Sequence, residues 1–338
     1  MTAIGDAGRV ARAIEAASII HLAAHENPDG DAVGALLGLR LALLATGRQV
    51  RAATPTPPPR RYRFLPGFET IEGALPSDPA DLAIALDCDG ITRLGDLQAA
   101  FNAARVTADV DHHRPETAFG DVRFVDPDHP ATATMVLDVL HELRIPLTPE
   151  IAACLYTGLI TDTGNFRFAN TDPEALRAGA ELIEAGADPS DLARRCFSLR
   201  PLGVIMLEGR ALTSLRGSES GLIVFSILTL ADFAATGTSP DDTDGIIDSF
   251  RDAIGIEVAV LIKEVEPGSW NVSLRSHGLD VASIAAQFGG GGHRVAAGCT
   301  VAGTAEEVAA RLEQMLEHAL ARAPTPAGGG AGPCLTAC

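Results

Sequence analysis

Along the first half of the chain, short and mostly apolar runs alternate with longer segments whose apolar residues recur at helical spacing. Residues 17–24 predict a buried strand, and residues 31–46, with Leu and Ala one turn apart, predict a helix. Residues 49–54, 82–86 and 106–110 predict further strands, with a proline-rich loop at 55–61. Residues 133–143, 151–160 and 173–185 predict helices, the last with a proline in its first turn. Thr132 and Thr134 open the first of these and are expected to cap it. Strands and helices alternating at this spacing predict an α/β fold, a parallel sheet with helices on both faces. After a helical stretch at 191–216 the pattern changes. Strands are predicted at 221–228, 256–265 and 270–275 around a helix at 241–253, then a short helix at 280–288 and an amphipathic one at 305–321. This predicts a second, smaller domain of mixed α/β type. The expected organisation is a domain at 1–190, a helical connector at 191–216, a second domain at 217–322 and a disordered Pro/Gly/Ala-rich tail at 323–338.

Four acidic and histidine motifs interrupt this pattern, each just after an apolar stretch. They are His25-Glu26-Asn27-Pro28-Asp29-Gly30-Asp31, Asp87-Cys88-Asp89-Gly90, Asp111-His112-His113 and Thr161-Asp162-Thr163-Gly164. Singly, each has a plain reading: a polar turn capping a helix, a turn after a strand, an aspartate at a helix end. In a parallel sheet, however, ligands bind beyond the carboxyl ends of the strands, where His25, Asp87 and Asp111 fall. Four carboxylates (Asp29, Asp31, Asp87 and Asp162) gathered in one place repel one another, and two divalent cations would neutralise them. The first motif is no EF-hand, since Val33 and Leu36 stand where oxygen ligands would be needed. A mixed oxygen and nitrogen donor set suits Mn²⁺, with Mg²⁺ or Co²⁺ as alternatives. Two such ions about 3.5–4 Å apart are the apparatus of phosphoester hydrolysis. Asp89 is the alternative to Asp87, which is preferred because it directly ends the run 82–86.

Composition narrows the partners. At 338 residues and 46% hydrophobic, the chain suits two domains with real cores. No apolar run is long enough for a membrane span. The start, Met1 to Asp6, lacks the features of a secretory signal, and the six cysteines form no CxxC pair, so reduced thiols and a cytoplasmic location are expected. The formal charge of −18, with Lys263 as the only lysine, argues against a broad basic face for long nucleic acid. Solubility is the plain reading of that acidity. The run Gly289 to Gly292 followed by His293 reads as a flexible turn or as a loop whose backbone N–H groups approach a phosphate.

The motifs HENPDGDAVG, ALDCDG, VDHHRPE, GLITDTGNF, SLRS and GGGGHRVAAG, in this order and from about residue 15 to 320, resemble the DHH phosphoesterase superfamily. The similarity is to its bacterial oligoribonucleases (nanoRNases), which also act as 3′-phosphoadenosine-5′-phosphate (pAp) phosphatases. The resemblance implies a DHH catalytic domain and a DHH-associated substrate-binding domain closing over a shared cleft. It implies His25 and Asp29 as ligands of one metal, Asp31, His112 and Asp162 as ligands of the other, and Asp87 as the bridge. His113 would face the scissile phosphate, with Asp111 orienting a histidine. Arg275, Gly290, Gly291, Gly292 and His293 would hold the substrate's far end. Many relatives have Lys-Asn where Arg294-Val295 follows His293, and Ser at Ala35. The implied substrates are short oligoribonucleotides cut to nucleoside 5′-monophosphates, and pAp converted to AMP. Linear and cyclic dinucleotides are the alternative, relatives are often homodimers, and no membrane or long duplex partner is expected. Pyrophosphatase or exopolyphosphatase activity and a catalytically silent nucleotide-binding protein are the remaining readings.

Overall fold

The computed structural model describes residues 5–114 and 117–322; the predicted disordered tail lies outside the described residues. The chain forms two compact units, the first ending at Leu199 and the second opening at Arg200.

In the first unit, α1 (Ala7–Glu15) and β1 (Ile19–Ala24) precede α2 (Gly30–Ala45), β2 (Gln49–Ala53), β3 (Leu82–Leu86) and α3 (Gln98–Asn102). Then come β4 (Val106–Asp111), β5 (Val122–Val125), α4 (Thr132–Glu142), α5 (Pro149–Asp162), α6 (Pro173–Glu184) and α7 (Pro189–Ala193). All five strands are parallel, in the order β2-β1-β3-β4-β5. The order therefore reverses between β1 and β3, and the residues that follow those two strands share the crevice there. Alternation sorts the side chains. Leu82, Ile84 and Leu86 join Ile20 and Leu22 beneath the large helices, whereas Ala23, Ala53, Ala83 and Ala85 face Leu94, Leu97 and Phe101. Alanine on that second face suits its thin cover of 3₁₀ turns and α3.

Helices α2 and α5 cross unusually closely, and three glycines one turn apart explain it. A Cβ at Gly34 would lie 2.5 Å from the Cys154 carbonyl oxygen, and one at Gly38 would lie 2.5 Å from the Leu155 side chain. At Gly30 it would collide with Thr161, and from the α5 side a Cβ at Gly158 would lie 2.7 Å from Asp31 Oδ1. This backbone-to-backbone contact brings Asp31, near the start of α2, beside Asp162, the last residue of α5.

The second unit contains α8 (Leu202–Thr213), β6 (Arg216–Gly217), β7 (Ile223–Leu228), α9 (Leu230–Thr236), α10 (Asp248–Arg251) and β8 (Val258–Glu266). β9 (Ser269–Ser276), α11 (Ala282–Ala286), β10 (Gly291–His293), β11 (Ala296–Ala302) and α12 (Ala305–Arg322) complete it. The sheet order is β10-β11-β9-β8-β7-β6, mixed because only β7 and β8 run parallel. The segment expected as a connector is divided: α7 and a π-helical turn at Arg194–Ser198 belong to the first unit, α8 to the second. The helix predicted at 241–253 does not form. Asp242 turns its carboxylate back to cap Ser239, Gly245 takes φ +77°, and only a 3₁₀ turn and the four-residue α10 remain. Lys263 fixes that turn, its Nζ donating to Thr243 Oγ1 at 2.7 Å and the Pro240 carbonyl at 3.1 Å.

Gly34→Ala should lower unfolding stability by about 2 kcal/mol or more, because the added methyl meets backbone that cannot swing aside. Thermal unfolding checks this; an unchanged melting temperature would mean the helices are free to part.

Candidate metal centre

Each motif is held by local backbone chemistry. Asp29 caps α2, its Oδ1 accepting from the N–H groups of Asp31 (2.9 Å) and Ala32 (3.1 Å). Asp31 then points inward from the first turn and is fully buried. Asp87 leaves β3 with φ +62°. Five non-glycine residues among those described adopt positive φ, and four of them lie in or just after the motifs: Asn27, Asp87, Asn165 and Phe166. Such backbone costs about 1–2 kcal/mol per residue and persists only where the surroundings impose it.

These constraints gather the donors into overlapping triads. His25, Asp29 and Asp87 form one, Asp31, His112 and Asp162 a second, and Asp87, His112 and His113 a third, with donor atoms within 4.8 Å of each other in every case. His112 supplies the test of fit. Its Nδ1 donates to the His129 carbonyl at 3.3 Å, leaving Nε2 bare, buried and without a hydrogen bond. That nitrogen lies 3.6 Å from Asp87, 3.6 Å from Asp162 and 3.9 Å from Asp31. These spacings are too long for hydrogen bonds and suit a shared cation. His25 repeats the arrangement: Nδ1 donates to the Glu26 carbonyl at 2.7 Å, and Nε2 lies 3.6 Å from Asp87. The residues present fit two divalent ions.

Behind the donors stands one short segment whose role the sequence did not disclose. The N–H groups of Thr132 and Ala133, at the start of α4, donate to both oxygens of Asp31 at 2.6 and 2.9 Å. Thr132 Oγ1 donates to Asp87 at 2.9 Å instead of capping its own helix, whose cap position is Ala131. Asn170 Nδ2 donates to the Pro130 carbonyl at 2.9 Å and to Asp162 Oδ2 at 3.2 Å. Residues 129–133 thus orient His112, Asp31 and Asp87 directly and Asp162 through Asn170. Only through-space contact reveals this.

His113 is bound differently. Asp111 Oδ1 accepts from its ring Nδ1 at 2.8 Å and from its backbone N–H at 3.1 Å, while nearly half of the side chain remains exposed. Burial opposes its charge, but the Asp111 hydrogen bond and the carboxylates of Asp87 and Asp162 outweigh it and raise its pKa to about 9. Burial also favours neutral Asp87, yet His25, His113 and His112 bring it down to about 2. Asp162 rises to about 6, chiefly through burial and the charge of Asp87. Asp31 rises well above the usual range, through burial and then the charges of Asp87, Asp162 and Asp29.

In the second unit, part of the glycine run is strand and not loop. His293 pairs with Ala296 on β11, and Ala296 pairs with Arg275 on β9, so the small Ala296 separates an exposed histidine from an arginine along one row. Arg275 Nη1 donates to the Leu274 carbonyl at 3.0 Å. Gly292, at φ +136°, leaves no room for a Cβ, which would lie 2.6 Å from the Ala296 carbonyl oxygen; a Cβ at Gly290 would collide with Gly298. Gly291 faces open space.

Comparison with known proteins shows the family. The N-terminal domain of the DHH family matches residues 19–159, and the DHHA1 domain matches residues 219–322. The chain is 37% identical over 286 residues to the bifunctional oligoribonuclease and PAP phosphatase NrnA of Thermus thermophilus, covering 84% of each chain. It is 28% identical to the protein of that name from Bacillus subtilis, over 91% of this chain and 97% of the other. An exopolyphosphatase-related protein from Bacteroides fragilis superposes with a TM-score of 0.84 at 25% identity, covering 92% of this chain and 95% of that one.

The shifts give a signed prediction. Groups whose folded pKa is raised, here Asp31, Asp162 and His113, lend stability at low pH that is lost as pH rises through their folded values. Metal-free protein should therefore melt lower at pH 8.5 than at pH 5.5, and saturating Mn²⁺ should reverse that order. Melting curves with and without chelator check it; the same pH order in both would contradict a carboxylate centre built for cations.

Proposed function

The chain belongs to the DHH family of phosphoesterases, in the group of the oligoribonuclease and PAP phosphatase relatives, and from that premise we propose that it hydrolyses short oligonucleotides to nucleoside 5′-monophosphates and pAp to AMP. The observation that carries the reading is the bare Nε2 of His112 facing three carboxylates at 3.6–3.9 Å.

In this reading His25, Asp29 and Asp87 would hold one divalent ion and Asp31, His112 and Asp162 the other, with Asp87 close enough to His112 to serve both. Bound there, the ions supply charge neutralisation for a phosphoryl group and an acidified water. Manganese suits the mixed carboxylate and imidazole donors, with Mg²⁺ or Co²⁺ as alternatives. The protein supplies the rest. His113, tied to Asp111 through Nδ1, keeps its other ring nitrogen for the substrate. A proton on that nitrogen can pass to the leaving oxygen or stabilise charge on the phosphoryl oxygens. Asp111, fully buried, sets the ring's orientation. Arg275, His293 and the backbone of Gly290, Gly291 and Gly292 are the substrate-recognition part, and the room left by Ala296 suits a phosphate or base between Arg275 and His293. A chain with net charge −18 offers long duplexes little, which favours substrates of a few nucleotides.

The test incubates Mn²⁺-loaded protein with an RNA dinucleotide, a five-residue RNA, pAp, linear and cyclic dinucleotides, and pyrophosphate. Mononucleotide or AMP release, falling at least about 10³-fold in Asp87→Ala, is expected. Cleavage of pyrophosphate alone, or an Asp87→Ala variant as active as the parent, would overturn the reading.

A further inference from the structure

Arg93 stands against the His25 triad, and among the described residues few of its hydrogen-bond donors are used. It lies in the 3₁₀ segment that follows β3, and its carbonyl accepts the Glu26 N–H at 2.8 Å, strapping that segment to the first motif. Its Nη2 comes within 3.0 Å of His25 Nδ1. In the tautomer that frees Nε2 to ligate, Nδ1 carries the proton given to the Glu26 carbonyl at 2.7 Å and offers the guanidinium no lone pair. Its Nε is buried and makes no hydrogen bond. The carboxylates nearby are Asp89 at 3.6 Å from Nε and Glu26 at 3.9 Å from Nη1, both beyond hydrogen-bond range. About a third of the side chain is open to solvent, so a ligand can reach it.

A guanidinium with buried, unspent donors calls for an anion of matching planar or tetrahedral geometry. Among the described residues, Asp89 and Glu26 pair with Arg93 only beyond hydrogen-bond range and its buried Nε has no hydrogen-bond partner, which leaves the guanidinium donors for a ligand. We propose that Arg93 is a phosphate clamp: it grips a non-bridging oxygen of the phosphoryl group seated at the His25, Asp29 and Asp87 side of the centre, and so sets which face of the phosphate meets His113. This assignment rests on the phosphoesterase reading above. It predicts a contact to substrate, in contrast to a merely structural role in which Arg93 props His25.

The experiment compares the parent with Arg93→Gln and Arg93→Lys. It measures dinucleotide cleavage, AMP binding by calorimetry in Mn²⁺-loaded protein, and Mn²⁺ binding to metal-free protein. Losing a charge-assisted hydrogen bond to phosphate should weaken AMP binding by about tenfold or more and lower kcat/KM by about 10- to 100-fold. Mn²⁺ affinity and melting temperature should stay close to the parent's, and Arg93→Lys should recover part of the AMP affinity. Unchanged AMP affinity in Arg93→Gln would overturn the clamp, as would loss of Mn²⁺ binding in step with AMP binding, the mark of a prop for His25. The two readings fail separately. A parent that cleaves normally beside an unaffected Arg93→Gln removes only the clamp, whereas a parent that binds AMP through Arg93 yet cleaves no nucleotide removes only the phosphoesterase substrate assignment.

Discussion

Mutual repulsion among Asp29, Asp31, Asp87 and Asp162 is the constraint around which the first unit is arranged. Charges this close, withdrawn from water, destabilise a fold by several kcal/mol unless neighbours compensate. The partial compensation is visible: α4 presents two N–H groups to Asp31, Thr132 reaches Asp87, and Asn170 reaches Asp162. None of these contacts neutralises a charge. The raised pKa values of Asp31 and Asp162 record what remains, and cations are the economical way to remove it.

Bringing these groups together takes two devices that act at different scales. Parallel strand order places the ends of β1 and β3 side by side, which delivers His25 and Asp87. The glycine-lined crossing of α2 and α5 delivers Asp31 and Asp162, and it works only because side chains are absent at the contact. Left-handed backbone at Asn27, Asp87, Asn165 and Phe166 makes the final adjustments. Strain therefore collects where the packing around it is strongest, at the centre itself.

Much of this was legible in the sequence, and for a physical reason. Buried strands announce themselves by apolar runs, and an acidic residue directly after one marks a strand's carboxyl end, so the parallel sheet and the side chains gathered at its crevice could be read together. What escaped depends on contacts between distant residues or on short elements. Thr132 looked like a helix cap, although its hydroxyl bonds across the unit to Asp87. Nothing local marks Asn170 or Gly34. β5 has four residues and β10 three, too few for an alternating pattern to emerge. The helix expected at 241–253 failed because its Asp and Gly residues favour a turn that Lys263 then secures.

The most direct test of the account is a calorimetric titration of metal-free protein with Mn²⁺, alongside Asp162→Ala. Two ions per chain for the parent and one for the variant, with His25, Asp29 and Asp87 still intact, is the result the overlapping triads require. A single ion in the parent, or a stoichiometry that Asp162→Ala leaves unchanged, would contradict the two-metal centre.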